Sequence, residues 1–108
     1  MIRRLEVIGD SMSPTLNSGD LLLVNIWSRR GSFQADQLVL IQRINRANGE
    51  RDFIQVKRLT RIEPTGMWVE GDNSNQSTDS RTWGFLQSDE VIGRVLVRYR
   101  KAKSPNRN

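Results

Sequence analysis

Ser11 stands in the segment GDSMSPTL, between Gly9 and Pro14. Glycine permits backbone angles closed to other residues, or the close approach of another chain. With Pro14 stiffening the turn that follows, the segment can hold one hydroxyl at a fixed, exposed position, as a nucleophile requires. The same residues also suit a plainer role, in which Ser11 caps a short helical turn. Lys57 is the second candidate, inside a strand-like run with Val56 before it and Phe53 and Leu59 nearby. An amine among apolar side chains loses part of its preference for charge. At the ordinary pKa of about 10.4, only about one lysine in a thousand is neutral near pH 7.4. A depressed value therefore recovers base on the scale that general-base catalysis contributes, about 10²–10⁴-fold. The alternative is a stem that covers apolar surface while the amine reaches water. The third candidate is the polar stretch GDNSNQSTDSRTWG, residues 71–84. Asp72 and Asn73 can form side-chain-to-backbone turns, and Asp79 can pair with Arg81 and brace a loop. A polar surface connector is the plain reading of that stretch.

Composition decides which chemistries these residues can serve. The 108 residues include no Cys and no His. That excludes a disulfide framework, a thiol nucleophile, a Ser-His-Asp triad and an ordinary His-ligated zinc site. Proton transfer must then run on Lys, a carboxylate or Tyr. There are 3 Lys against 14 Arg, and Lys101 and Lys103 lie at the end of the chain, so Lys57 is the amine of the body. The net charge of +5 has the same bias, because no acid follows Glu90 while Arg94, Arg98, Arg100, Lys101, Lys103 and Arg107 do. The body is close to neutral. Such a basic end can touch anionic surfaces weakly, or can simply be solvated and mobile.

The elements that must position the candidates read as strands. Arg3–Ile8, Asp20–Trp27, Gln37–Ile44, Asp52–Ile62, Met67–Glu70 and Glu90–Arg100 carry apolar or alternating runs, and Asp20–Trp27 suits a strand buried on both faces. Asn48-Gly49 marks a hairpin turn between the third and fourth, and Pro64-Thr65-Gly66 turns the chain again. Residues 101–108 form a basic tail with nothing to bury, expected to be disordered. One all-β, mostly antiparallel domain over residues 1–100 is the expectation. The longest apolar run, Leu21–Val24, is far short of the roughly 20 residues of a spanning helix, and no signal-peptide pattern opens the chain. A cytoplasmic protein with no membrane span follows as an expectation.

Taken together, GDSMSPTL followed by GDLLLV, then VKRL, then GDNSNQSTDSRTWGF and a later VIGRV resemble the type I signal peptidase family over roughly residues 8–96. The resemblance implies a fold of coiled antiparallel sheets shared with LexA-type proteases, without the extra β-subdomain of larger leader peptidases. It implies a serine endopeptidase with Ser11 as nucleophile and Lys57 as general base. Ser77 then orients the lysine amine, Asp79 and Arg81 support the active-site loop, and Gly71, Asp72 and Asn73 form the loop motif. Gly9, Asp10, Met12 and Pro14 shape the turn and oxyanion region. Some family members carry a Ser or Thr hydroxyl two residues before the nucleophile, where this chain has Gly9, so the oxyanion hole is expected to rest on the backbone N–H of Ser11. The run KRLTRIEPTG also departs from the KRxxGxPGD common in the family. Compactness makes the chain most similar to the small branch of nickel-type superoxide dismutase maturation proteases. The implied partner is a precursor protein bound as an extended peptide, with no cofactor, no metal and no nucleic acid. A general signal peptidase for exported preproteins, a self-cleaving repressor-type domain and a non-enzymatic basic β-domain that binds nucleic acid are the alternatives.

Overall fold

Alternation along the apolar runs sends every second side chain inward, and the strands form where it does. The computed structural model describes residues 1–26 and 33–102. Six strands, β1 (Ile2–Glu6), β2 (Leu21–Ile26), β3 (Leu38–Ile41), β4 (Gln55–Glu63), β5 (Gly66–Glu70) and β6 (Val91–Arg100), make one sheet in the order β1-β2-β6-β3-β4-β5. Every neighbouring pair is antiparallel, in agreement with the all-β expectation. Each predicted strand is present, with ends moved by a few residues. Trp27, placed in the second strand from sequence, lies outside the described residues, as do positions 103–108 of the expected tail.

The second strand differs from its expected burial on two faces. Leu22 and Val24 are fully buried, while Leu21, Leu23 and Asn25 are partly open. Only one side of β2 faces a core; its other side lies beside the exposed Ile2 and Arg4 of β1, an edge strand. The turn at Asn48-Gly49 falls where expected, with Gly49 at φ 77° and the Gly49 N–H donating to the Asn45 carbonyl at 2.7 Å. A short helix, α1 (Ser80–Trp83), and two 3₁₀ turns at Ser74–Gln76 and Ser88–Glu90 interrupt the strand pattern.

The core has two parts, on opposite sides of the β3–β4 hairpin. Val7, Met12, Leu16, Leu22, Val24, Leu40 and Val56 form one. Val39, Ile41, Leu59, Met67, Val69, Leu86 and Val91 form the other. Two buried carboxylates tie ends of elements to this frame. Asp20 accepts from the backbone N–H groups of Asn17 (2.9 Å) and Ala102 (2.7 Å) and from Arg98 (3.3 Å). Glu90 accepts from the N–H groups of Ile44 (3.0 Å) and Gln87 (2.9 Å). No helix among the described residues is long and apolar enough to cross a membrane.

Candidate active site

The site is built from three segments that the sheet brings together. β4 carries Lys57, paired in register with Val39 of β3. Because Lys57 alternates with Val56, it leaves the first core cluster and is enclosed, with 2% of its surface exposed. Its Nζ donates to Ser77 Oγ at 3.0 Å. Among the described residues no carboxylate lies within ion-pair distance of the amine. Burial pushes the Lys57 pKa down, Arg81 adds to that, and Asp79 opposes it without cancelling it.

Ser77 passes the contact on. Its hydroxyl donates to Asp79 Oδ2 at 2.6 Å. Asp79 is itself buried and also accepts from the Gly71 N–H (2.8 Å), the Arg81 N–H (3.1 Å) and the Arg81 guanidinium (2.7 and 3.0 Å). Burial alone would raise the Asp79 pKa, but these bonds from Arg81, Ser77 and Gly71 outweigh it and hold the carboxyl well below the usual carboxylate range. An ionised Asp79 can only accept, so the single Ser77 proton points at Asp79 and the Ser77 lone pairs are left for a Lys57 N–H. This polarity has a consequence for the amine. When Lys57 is neutral, the bond to Ser77 uses an N–H and leaves the nitrogen lone pair free.

Ser11 opens the turn after β1. Met12 and Leu16 anchor that turn in the core, and the Leu16 N–H donates to the Met12 carbonyl at 2.9 Å. The Ser13–Pro14 peptide bond inside it is cis. Gly9, just before it, has φ +85°, a conformation L side chains seldom adopt, which accounts for glycine at this position. The 71–73 loop holds the turn from the other side. The Asn73 N–H donates to the Ser11 carbonyl at 2.9 Å, and Asn73 Nδ2 to the Asp10 carbonyl at 3.0 Å. The Asp72 N–H meets Met12 Sδ at 3.4 Å.

Asp72 and Asn73 thus bond across the site rather than forming the local turns their sequence suggests. Asp72 receives Arg58 through two bonds of 2.8 Å and Thr15 Oγ1 at 2.6 Å. Arg58 follows Lys57 on β4, so one carboxylate links the Lys57 strand, the 71–73 loop and the turn that holds Ser11. Sequence reasoning missed Arg58 and Thr15; their signal was adjacency to Lys57 and membership of the SPTL run. Ser11, Gly9, Asp10, Met12 and Lys57 all line one cleft of about 650 Å³, walled by residues 5–8 on one side and 52–57 on the other. Ser77, Asp79, Arg81 and Gly71 stand behind Lys57 and support it. Pro14 lies within the turn, away from the lining.

The buried acid makes a testable structural claim. Asp79→Asn removes the charge and points an amide at donors, leaving the buried Gly71 N–H poorly matched, at a cost of about 1–3 kcal/mol. The sign in pH follows from the depressed pKa. Asp79 contributes stability that is complete above the unfolded value, about 3.9, and is lost as pH falls through the lower folded value. Urea unfolding of parent and Asp79→Asn proteins should therefore show a gap near neutral pH that closes in strong acid.

A family model described as "Signal peptidase, peptidase S26" matches residues 42–100, a span that holds Lys57, Ser77, Asp79 and Arg81. The chain is 29% identical to mitochondrial inner membrane protease subunit 1 of Xenopus tropicalis over 83% of this chain and 64% of that protein. It is 28% identical to signal peptidase I of Bacillus caldolyticus over 86% of this chain and 76% of the relative. It is 30% identical to mitochondrial ATP-independent inner membrane protease subunit 1a of Arabidopsis thaliana over 91% of this chain and 70% of the relative.

Proposed function

The chain belongs to the signal peptidase family, peptidase S26, and from that membership we propose that it is a serine endopeptidase working through Ser11 and Lys57. One observation carries this reading: Lys57, whose buried amine is held by a serine hydroxyl and not by a carboxylate, lines the same cleft as Ser11. A structural lysine buried this way would need an ion partner to justify its desolvation; a base needs the opposite.

Lys57 Nζ takes the proton of Ser11 as Oγ attacks the scissile carbonyl carbon. The two side chains share no hydrogen bond here, Lys57 Nζ being bonded to Ser77, and their contact is expected to form with peptide in the cleft. The oxyanion that forms is received by the Ser11 backbone N–H, which has no acceptor among the described residues, since Gly9 offers no hydroxyl. The C–N bond then breaks, Lys57 gives its proton to the departing amine, and Ser11 holds the acyl group as an ester. Lys57 next takes a proton from water, whose oxygen attacks the ester carbonyl; the carboxylic acid leaves and Ser11 regains its proton. Ser77, Asp79 and Arg81 keep the amine in place throughout.

The substrate we assign is a precursor protein whose N-terminal pro-segment lies extended in the cleft, and the resemblance noted above points to a nickel superoxide dismutase precursor. A second reading, removal of targeting segments from exported preproteins, has support from relatives named signal peptidase I and inner membrane protease. Purified protein should cleave the dismutase precursor, while Ser11→Ala and Lys57→Met versions should not. Cleavage of an exported preprotein and not of the dismutase precursor would favour the second reading. Cleavage at the parental rate after either substitution would remove the Ser11–Lys57 mechanism.

A further inference from the structure

Arg43 lines the same cleft as Ser11 and Lys57 and was not singled out by its sequence context. It follows β3, two residues beyond Ile41, and its carbonyl accepts from the Asp52 N–H at 2.8 Å. Its guanidinium lies over the Trp83 ring at 4.4 Å, and Trp83 packs on the second core cluster. That contact holds the cation against the ring. Four other arginines hold carboxylates, Arg46 with Asp89, Arg58 with Asp72, Arg81 with Asp79 and Arg98 with Asp20; Arg94 of β6 shares a buried, unpartnered Nε with Arg43 but does not line the cleft. Arg43 holds none among the described residues, and its Nε is buried without a hydrogen-bond partner. Asp52, its neighbour across the hairpin, instead accepts from the Phe53 N–H at 2.8 Å.

A buried guanidinium N–H without an acceptor is costly unless something supplies one. The fork of donors suits a carboxylate better than any neutral group. Distance then says where on a peptide that carboxylate would be. Lys57 pairs with Val39, and Arg43 lies four residues further along the chain, beyond the end of β3 at Ile41 but still facing Asp52 across the hairpin, which the Ile44–Arg51 bridge continues. At about 3.3 Å per residue that is roughly 13 Å, the reach of about four residues of an extended peptide. Phe53 and Ile54, exposed on the cleft wall between Arg43 and Lys57, would cover the intervening peptide.

We propose that Arg43 is a specificity-determining residue that receives an acidic side chain of the substrate about four residues from the bond cleaved. This rests on the proteolytic reading above. The test uses the Ser11→Ala protein and fluorescein-labelled 14-residue Ala/Ser peptides, in which one Glu, or one Gln in its place, is walked along the chain. Fluorescence anisotropy should find a position at which Glu binds about tenfold tighter than Gln. That preference should vanish in Arg43→Gln, return in part in Arg43→Lys, and pass to a Lys-bearing peptide in Arg43→Glu. A loss of fold would weaken Glu and Gln peptides alike, so the ratio isolates the charge contact. No position favouring Glu, or a preference that persists in Arg43→Gln, would overturn the assignment. The same peptides offered to protein with Ser11 intact separate the two claims: a Glu preference in binding with no cleavage at all would uphold the carboxylate site and refute the protease.

Discussion

Lys57→Met should lose cleavage by about 10²–10⁴-fold and yet melt at a higher temperature than the parent protein. Both effects come from the same burial. Lys57 is 2% exposed and its pKa is held down chiefly by desolvation. The folded state is therefore charged for keeping an amine where a thioether would sit without penalty. Ser77 loses a donor in the variant but keeps its own bond to Asp79, so no buried proton is orphaned. Single stabilising substitutions commonly add about 0.5–2 kcal/mol, and a gain on that scale is several degrees of Tm for a domain of this size. The pH dependence has a definite sign. Between the depressed folded value and the unfolded value of about 10.4, the unfolded chain binds more protons, so parent stability rises with pH across that window. The advantage of Lys57→Met should be largest at neutral pH and shrink as pH approaches the unfolded value. Thermal melts at a series of pH values check this; a Met variant less stable than the parent at neutral pH would mean that the amine is a structural tie.

Gly71→Ala should damage both fold and activity although Gly71 touches no substrate. A Cβ there would overlap Ser77 Oγ and stand 2.6 Å from both Ser77 Cβ and the Ser11 carbonyl oxygen. Neither neighbour can give way freely. Ser77 is fixed between Lys57 and Asp79, and the Ser11 carbonyl is backbone held by Asn73. The methyl group must drive Ser77 and the Ser11 turn apart. Overpacking of this kind costs about 1–3 kcal/mol, and a shift of about 1 Å between reacting groups can cost about 10²-fold in rate. Urea unfolding and single-turnover cleavage measure the two losses separately. A Gly71→Ala protein with parental rate and stability would show that the loop does not need this close approach.

The strands were legible because their apolar runs are long enough to show alternation, and the turns because Asn48-Gly49 and Pro64-Thr65-Gly66 are unambiguous. Which face of β2 would be covered was not, since LLLV is equally apolar on both sides and only the placement of β1 and β6 decides. The helix Ser80–Trp83 has four residues, too few for any helical period to appear. Within the site, burial among apolar neighbours flagged Lys57 on physical grounds, whereas Ser77 entered only through family likeness. Nothing local distinguishes Ser77 from the serines around it until its bonds to Lys57 and Asp79 are seen. Arg58, Asp72 and Thr15 meet across separations of up to 57 positions, and Arg43 stands out only when its cation is seen in the cleft, over Trp83 and without a carboxylate partner among the described residues. Such features belong to tertiary placement and leave no mark on a short window of sequence.

The most direct measurement is the pH dependence of the acylation of Ser11 in a single turnover, followed by mass spectrometry of the trapped acyl-enzyme. Proton transfer from Ser11 to a depressed Lys57 predicts an ester on Ser11 whose rate of formation rises with pH and levels off below the ordinary lysine value of about 10.4, with the ester absent from Lys57→Met. A rate flat from about pH 6 to 9, or an acyl group found on any residue other than Ser11, would contradict it.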